Sequence, residues 1–340
     1  METKREFIAD RPENLRAPGR NRVSRRASSS ALAVARIVVP LLVLLGLAEW
    51  ASPAFLTPDN LMLVLRQVSI TGLTALGVTF VVICGRFDLS VGSLLTLSGV
   101  VLISLHEAVG PGVAIAVCLF IGLLVGCVNG LLVAVLGLDS LIATLGMLSV
   151  LQGAALIFTG GKNEYVMNPH GTWFNFVGRG YIHGVPFPVI LLVICAVILA
   201  VVLQRTVFGR QVFAVGGNGT ASFFSGIAAR RTIFFAYVIS GVMTAIATIV
   251  FGSRVMAVQT NSGSGLEMNV LAAIILGGTS LSGGAGSIAR SIVGVVALGL
   301  LQNWLLLIGL PYQVQWIVTW GLIVAAVWFN ESQKRGRLFV

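Results

Sequence analysis

Charge is what this chain has least of. Asp, Glu, Lys and Arg make up 10% of its 340 residues, and only 12 residues are acidic. Soluble domains carry about 25% charged residues, so an ordinary water-coated globule is excluded. The four cysteines, Cys84, Cys118, Cys127 and Cys195, lie in or beside apolar runs without CxxC or ligand spacing. A disulfide or metal framework is therefore not expected, and the cysteines read as small packing residues. No GxxxxGK[ST] segment occurs, which excludes ATP hydrolysis by the P-loop route within these residues. No His, Cys or Ser arrangement sets a nucleophile beside a base, so no catalytic residue and no metal ligand is assigned. The histidines, His106, His170 and His183, fall in expected outer loops without carboxylate partners and read as solvated.

What is abundant is apolar surface and glycine: 56% hydrophobic residues, 40 glycines and a mean hydropathy of +0.96. Lipid is the expected solvent, since about 20 apolar helical residues span a hydrocarbon core roughly 30 Å thick. Ten runs qualify, at 33–50, 62–83, 93–108, 112–135, 139–159, 187–204, 233–252, 268–287, 289–309 and 313–330. The expected fold class is thus an all-α polytopic membrane protein of about ten transmembrane helices.

The net charge of +10 sits in patches: nine basic residues between Lys4 and Arg36, four between Arg205 and Arg231, and three between Lys334 and Arg337. Such clustering marks cytoplasmic segments rather than a nucleic-acid surface. With an even number of spans, both termini and residues 205–232 fall on the cytoplasmic side. Residues 1–30, polar with two prolines and a serine run, read as a disordered basic cytoplasmic tail. The alternative, a cleaved signal beginning at Arg25-Arg26, lacks the apolar positions and the cleavage site it needs. Residues 31–332 form the membrane domain and 333–340 a cytoplasmic tail.

Two stretches are too polar and glycine-rich for plain spanning helices: Gly85 to Ser93, and Gly277 to Ser287. Non-helical backbone at membrane depth survives only where protein or water covers it, so both predict helix breaks near a pathway or at a membrane face. An internal echo accompanies them. Phe87-Asp88-Leu89-Ser90-Val91 pairs with Leu266-Glu267-Met268-Asn269-Val270, and Asn129-Gly130-Leu131-Leu132-Val133 with Asn303-Trp304-Leu305-Leu306-Leu307. Five spans separate the copies, which suggests an inverted repeat; chance similarity of leucine-rich segments is the alternative. Gly122, Gly126 and Gly130 share one helix face, which suits close packing within the subunit, a dimer seam or a moving interface.

Acids near the membrane are few and informative, because an unpaired charge in hydrocarbon costs about 3 kcal/mol. Asp88 and Asp139 stand where helix N-caps would, with solute contact as the alternative for each. The candidate pathway residues are Asp88, Ser90, Asn129, Thr144, Glu267, Asn269, Gln302 and Asn303. The uncharged polar set Thr74, Thr79, Ser90, Thr96, Asn129, Thr144, Gln152, Asn269, Thr279, Gln302 and Asn303 together suits a neutral hydroxylated solute, with bonding to helix backbones or to one another as the alternative for each. The segment 206–227 mixes aromatics and glycines as no merely solvated loop would; Asn218 or Thr220 is placed to cap a short helix ending near Gly226, whose apolar residues need a partner surface.

Together these motifs resemble the permease subunits of ABC importers for ribose, xylose, arabinose and related monosaccharides, a group that includes permeases for the signal autoinducer-2. The resemblance runs from Phe55 to Asn330. It rests on Phe87-Asp88-Leu89-Ser90-Val91-Gly92-Ser93, on Leu141 to Gly146, on Phe208-Gly209-Arg210 with Gly216-Gly217-Asn218 and Ser225-Gly226-Ile227, and on Leu276 to Gly284. It implies a homodimer or paired permease in the bacterial inner membrane, with a cytoplasmic ABC ATPase below and a periplasmic sugar-binding protein above. ATP and Mg would be bound by the ATPase subunit, and no cofactor by this chain. Phe208, Gly209, Arg210, Gly216, Asn218, Ala221, Ser225 and Gly226 would form the segment that docks on the ATPase. Two departures, Gly85-Arg86-Phe87 in place of glycine-glycine-isoleucine and Asp139-Ser140-Leu141 in place of proline-serine-phenylalanine, lie near pathway positions and leave the sugar open. An ion-coupled carrier without an ATPase is the alternative reading, and a structural or receptor membrane protein that moves nothing a third.

Overall fold

Proline and glycine punctuate the helices. Pro58 and Pro111 open α1 (Pro58–Ile83) and α3 (Pro111–Gly130), and Pro188 lies in the first turn of α6 (Phe187–Arg205). Proline's missing N–H costs nothing at the start of a helix. α2 (Val91–Val109) ends at Gly110, whose φ of 91° lets the chain reverse directly into α3. α3 runs on through a π-helical turn, Leu131–Val135. α4 (Ser140–Thr159) opens on Asp139, which accepts from the backbone N–H groups of Leu141 (2.9 Å) and Ile142 (3.3 Å). The capping reading of Asp139 therefore holds.

This computed structural model describes residues 46, 52–167, 173–311, 313–321 and 324. The described residues belong to one unit, Gly46–Val340. The expected tails at 1–30 and 333–340 lie outside them, as does all but one residue of the expected span at 33–50. Between the long helices run β1 (Glu164–Tyr165), α5 (Phe174–Arg179), β2 (Tyr181–Ile182) and β3 (Val185–Pro186). After α6 come α7 (Val207–Gly217), α8 (Gly219–Phe224), α9 (Ala229–Val255), β4 (Ala257–Val258), α10 (Leu266–Leu276) and α11 (Ile288–Leu307). Residues 313–321 are again helical. β1 pairs antiparallel with β4, and β2 with β3 across the His183–Gly184 turn.

Seven of these helices, α1 to α4, α6, α9 and α11, are long and apolar enough to cross a membrane. They coincide with seven of the ten expected spans. The run at 268–287 is divided: helix covers only Leu266–Leu276, and Gly278, Gly283 and Gly284 then take positive φ. Eleven residues rise about 16 Å, half a hydrocarbon core.

α9 is the axis of the packing. Its inner face is built of small and hydroxylated residues, and Gly122, Gly126 and Gly130 of α3 lie directly on it. A Cβ on Gly122 would stand 2.5 Å from the Gly241 carbonyl oxygen, and one on Gly126 2.7 Å from that of Tyr237. The glycine face is thus used for contact within the subunit, where it lets two backbones touch and replaces a hydrophobic drive that lipid does not provide. Ser240, Thr244 and Thr248 form a ladder along α9; the hydroxyls of Thr244 and Thr248 each donate to the carbonyl four residues back, at 2.8 and 2.9 Å. Cys84 and Cys118 are buried among apolar side chains. His106 corrects the expectation of a solvated loop residue: α2 extends past it, and its ring is buried against Phe174 with the Glu107 carboxylate 3.9 Å away. His183 is exposed in its turn, and His170 lies outside the described residues.

Candidate solute pathway and coupling junction

Between α1 and α2 the chain is unwound from Gly85 to Ser90, and here Asp88 turns inward, 3% exposed. One carboxylate oxygen accepts from the Ser90 N–H (3.1 Å) and the Ser90 hydroxyl (2.7 Å), the other from the Ser240 hydroxyl of α9 (2.7 Å). No ion pair engages it among the described residues. Three donors hold a carboxylate without a cation, as burial requires. The helix N-cap is Ser90 itself, with no side-chain cap bond; Asp88 ties the break to the axial helix instead of capping, which corrects that reading. Asn129 of α3 donates to the Ser90 hydroxyl (2.8 Å), while its own carbonyl oxygen is buried with no partner among the described residues. The Tyr237 hydroxyl donates to the Phe87 carbonyl (2.7 Å), and the Phe87 N–H to the Ser140 hydroxyl (3.3 Å). Asp88, Ser90 and Asn129 therefore form one cluster with Ser240, which lay 152 residues away in sequence. Its only signal was the four-residue spacing of Ser240, Thr244 and Thr248.

The remaining candidates divide. Glu267 lies at the start of α10, where its carboxylate accepts from the Gly265 N–H (3.2 Å) and covers Gly92: a Cβ there would stand 2.1 Å from Glu267 Oε2. Gly263 meets the Gly92 backbone just as closely, and its N–H donates to the Thr96 hydroxyl at 3.0 Å. The two segments paired by the internal echo, 87–91 and 266–270, thus begin helices that touch. Asn269 accepts from the Gln302 amide (3.3 Å). Asn303 is occupied in a reciprocal amide pair with Asn60 (2.8 and 2.9 Å) that fastens α11 to the start of α1. Thr144 is buried and donates to the Ser140 carbonyl of its own helix (2.7 Å).

The segment 206–228 has an inner and an outer half. Thr206 caps α7, accepting from the Gly209 N–H (3.2 Å), and the Phe208 ring stacks on Phe80 of α1 with centroids 6.0 Å apart. Gly209 rests on the end of α6: a Cβ would stand 2.0 Å from the Leu203 carbonyl oxygen. Arg210, the next residue, is exposed. At the far end of α7, a Cβ on Gly216 would come within 1.7 Å of the Ile83 carbonyl oxygen and 2.6 Å of the Gly284 nitrogen. A Cβ on Gly283 would stand 2.8 Å from both the Gly85 nitrogen and the Gly216 carbonyl oxygen, and the Gly284 N–H donates to the Ile83 carbonyl at 2.8 Å. Backbone meets backbone at one point from three places: the end of α1, the break at 277–287 and the end of α7. Beyond it Asn218 caps α8, accepting from the Ala221 N–H (2.9 Å). Ala221, Ser225 and Gly226, the last with φ of 74°, are exposed with Phe223 and Phe224, which are 72% and 81% exposed.

Seven apolar helices, among them the hydroxylated α9 against which α1, α2 and α3 pack, interrupted by breaks that meet at one junction, define a polytopic all-α membrane protein. A family model described as the permease component of branched-chain amino acid transport systems matches residues 60–327. The chain is 39% identical over 295 residues to the ribose import permease of Bacillus subtilis, covering 86% of this chain and 91% of that one. It is 36% identical over 299 residues to the ribose import permease of Escherichia coli K12, covering 87% and 93%. It is 35% identical over 304 residues to the L-arabinose ABC transporter permease of Azospirillum brasilense, covering 88% of each. The chain belongs to this family of transport permeases, as its motifs indicated. No solved structure matches it.

Proposed function

We propose that this chain is the membrane subunit of an ATP-driven importer that carries a neutral monosaccharide into the bacterial cell. A cytoplasmic ATPase below it and a sugar-binding protein above it complete the machine, with both termini on the cytoplasmic side and a second copy of the permease beside it. ATP and Mg belong to the ATPase. The relatives named for ribose and arabinose support the solute class.

The observation that carries the reading is the junction at Gly216. α8 presents an exposed aromatic pair, an apolar surface that needs a partner, and the preceding helix is pressed against the ends of both breaks. A rigid push on α8 by closing ATPase subunits would reach Gly85 and Gly284 through backbone contact alone. Access can change only if the ATPase contacts differ between two states, and this segment is where such contacts would act. Asp88, Ser90, Asn129 and Ser240 hold the first break to the axial helix, so motion at the junction would be passed to α9.

Uptake by the complete importer in proteoliposomes tests this. The expected result is ribose or arabinose accumulation that requires internal ATP and survives a proton uncoupler. Accumulation by the chain alone, driven by an ion gradient, would establish the ion-coupled carrier in its place.

A further inference from the structure

Between α10 and the helical residues 313–321 lies an open cavity of about 280 Å³ lined by Gly265, Met268, Asn269, Trp316 and Trp320. We infer that it is a monosaccharide subsite, where a single sugar ring lies against the indoles and hydrogen-bonds the Asn269 amide. This rests on the importer reading above and adds to it a place and a set of contacts.

Among the described residues the lining carries no charge. Glu267, the nearest acid in sequence, is turned away onto Gly92 and the Gly265 N–H. A zwitterionic amino acid would leave two charges unpaired there, at a cost that a neutral polyol avoids. The two tryptophans supply broad apolar faces with a polar edge, which match the C–H face of a pyranose or furanose ring; Trp316 is 44% exposed. The amide supplies direction. Asn269 Oδ1 is engaged by Gln302 at 3.3 Å, while its Nδ2 has no partner among the described residues and retains its donors for sugar hydroxyls. The size limits the ligand. Small-molecule pockets run from about 300 to 1,000 Å³, so this one, at the lower edge, takes one ring and not a chain of them.

The backbone explains why the cavity exists. Gly265 has φ of 83°, and a Cβ on it would meet the Trp316 ring at 3.4 Å, so glycine both makes the turn into α10 and leaves the indole its place. In the proposed orientation residues 253–267 face outward, and the cavity lies where a sugar released by the binding protein would arrive.

The test uses the complete importer in proteoliposomes, with radiolabelled ribose, arabinose and leucine as probes. Trp320→Ala should lower sugar uptake about tenfold, the equivalent of one aromatic contact of roughly 1.4 kcal/mol, with Trp320→Phe restoring most of the loss. Met268→Trp, at a side chain 41% exposed and therefore tolerant of size, should fill the cavity and block uptake in folded protein. Wild-type uptake by both Trp320→Ala and Met268→Trp would overturn the subsite and leave the importer reading standing. Wild-type protein that takes up leucine and neither sugar would overturn both.

Discussion

α9 and α4 are about equally apolar, yet about two thirds of the apolar stretch of α9 is buried and only about a fifth of that of α4. Apolar content decides that a helix enters the membrane; it does not decide where in the bundle the helix stands. α9 is central because Ser240, Gly241, Thr244, Ala245 and Thr248 give it a face that other backbones can approach. α4 turns Ile142, Val150 and Ile157 outward, the last 85% exposed. Side chains of that kind are what lipid or a neighbouring subunit covers.

Substitutions at three sites probe the contrast. Gly241→Leu should be the most damaging, because a Cβ there falls 2.2 Å from the Gly122 carbonyl oxygen and backbone must move. The expected cost is about 3 kcal/mol or more, read as a lowered unfolding midpoint in detergent. A wild-type midpoint would mean that α3 and α9 do not touch as described. Asp88→Ala should come next. It strips the Ser90 and Ser240 hydroxyls of their acceptor at a buried site, at roughly 1–3 kcal/mol, and Asp88→Asn should recover part of it. Equal stability of Asp88→Ala and wild type would remove the break from the axial network. Ile157→Ala on α4 should shift the midpoint by no more than about 0.5 kcal/mol in the detergent-solubilised single chain. A large loss there would show that α4 is buried after all.

Much of this was readable in advance, for a physical reason. A spanning helix must be a continuous apolar run of bilayer length, so the expected 139–159 and 187–204 became Ser140–Thr159 and Phe187–Arg205. Glycine clusters likewise marked the breaks at Gly85 and at 277–287, since positive φ has few other hosts. Asn218 announced a cap three residues ahead of the N–H it accepts. The partnerships were not readable. Nothing local joins Asp88 to Ser240 or Gly216 to Ile83, because each contact depends on how whole helices pack. The polar candidates show the same limit: Asn303 and Thr144 looked like solute contacts by type, yet one is engaged by Asn60 and the other by its own helix.

The coupling junction is the centre of the account, and two glycines in one short segment test it. A Cβ at Gly216 would overlap the Ile83 carbonyl oxygen, whereas one at Gly219 would meet nothing within 4 Å. The measurement is sugar moved per ATP hydrolysed by the complete importer carrying Gly216→Ala or Gly219→Ala. Gly216→Ala should retain ATP hydrolysis while sugar moved per ATP falls about tenfold, the equivalent of 1.4 kcal/mol, and Gly219→Ala should match wild type. Full coupling in Gly216→Ala, or equal loss in both, would contradict transmission through the junction.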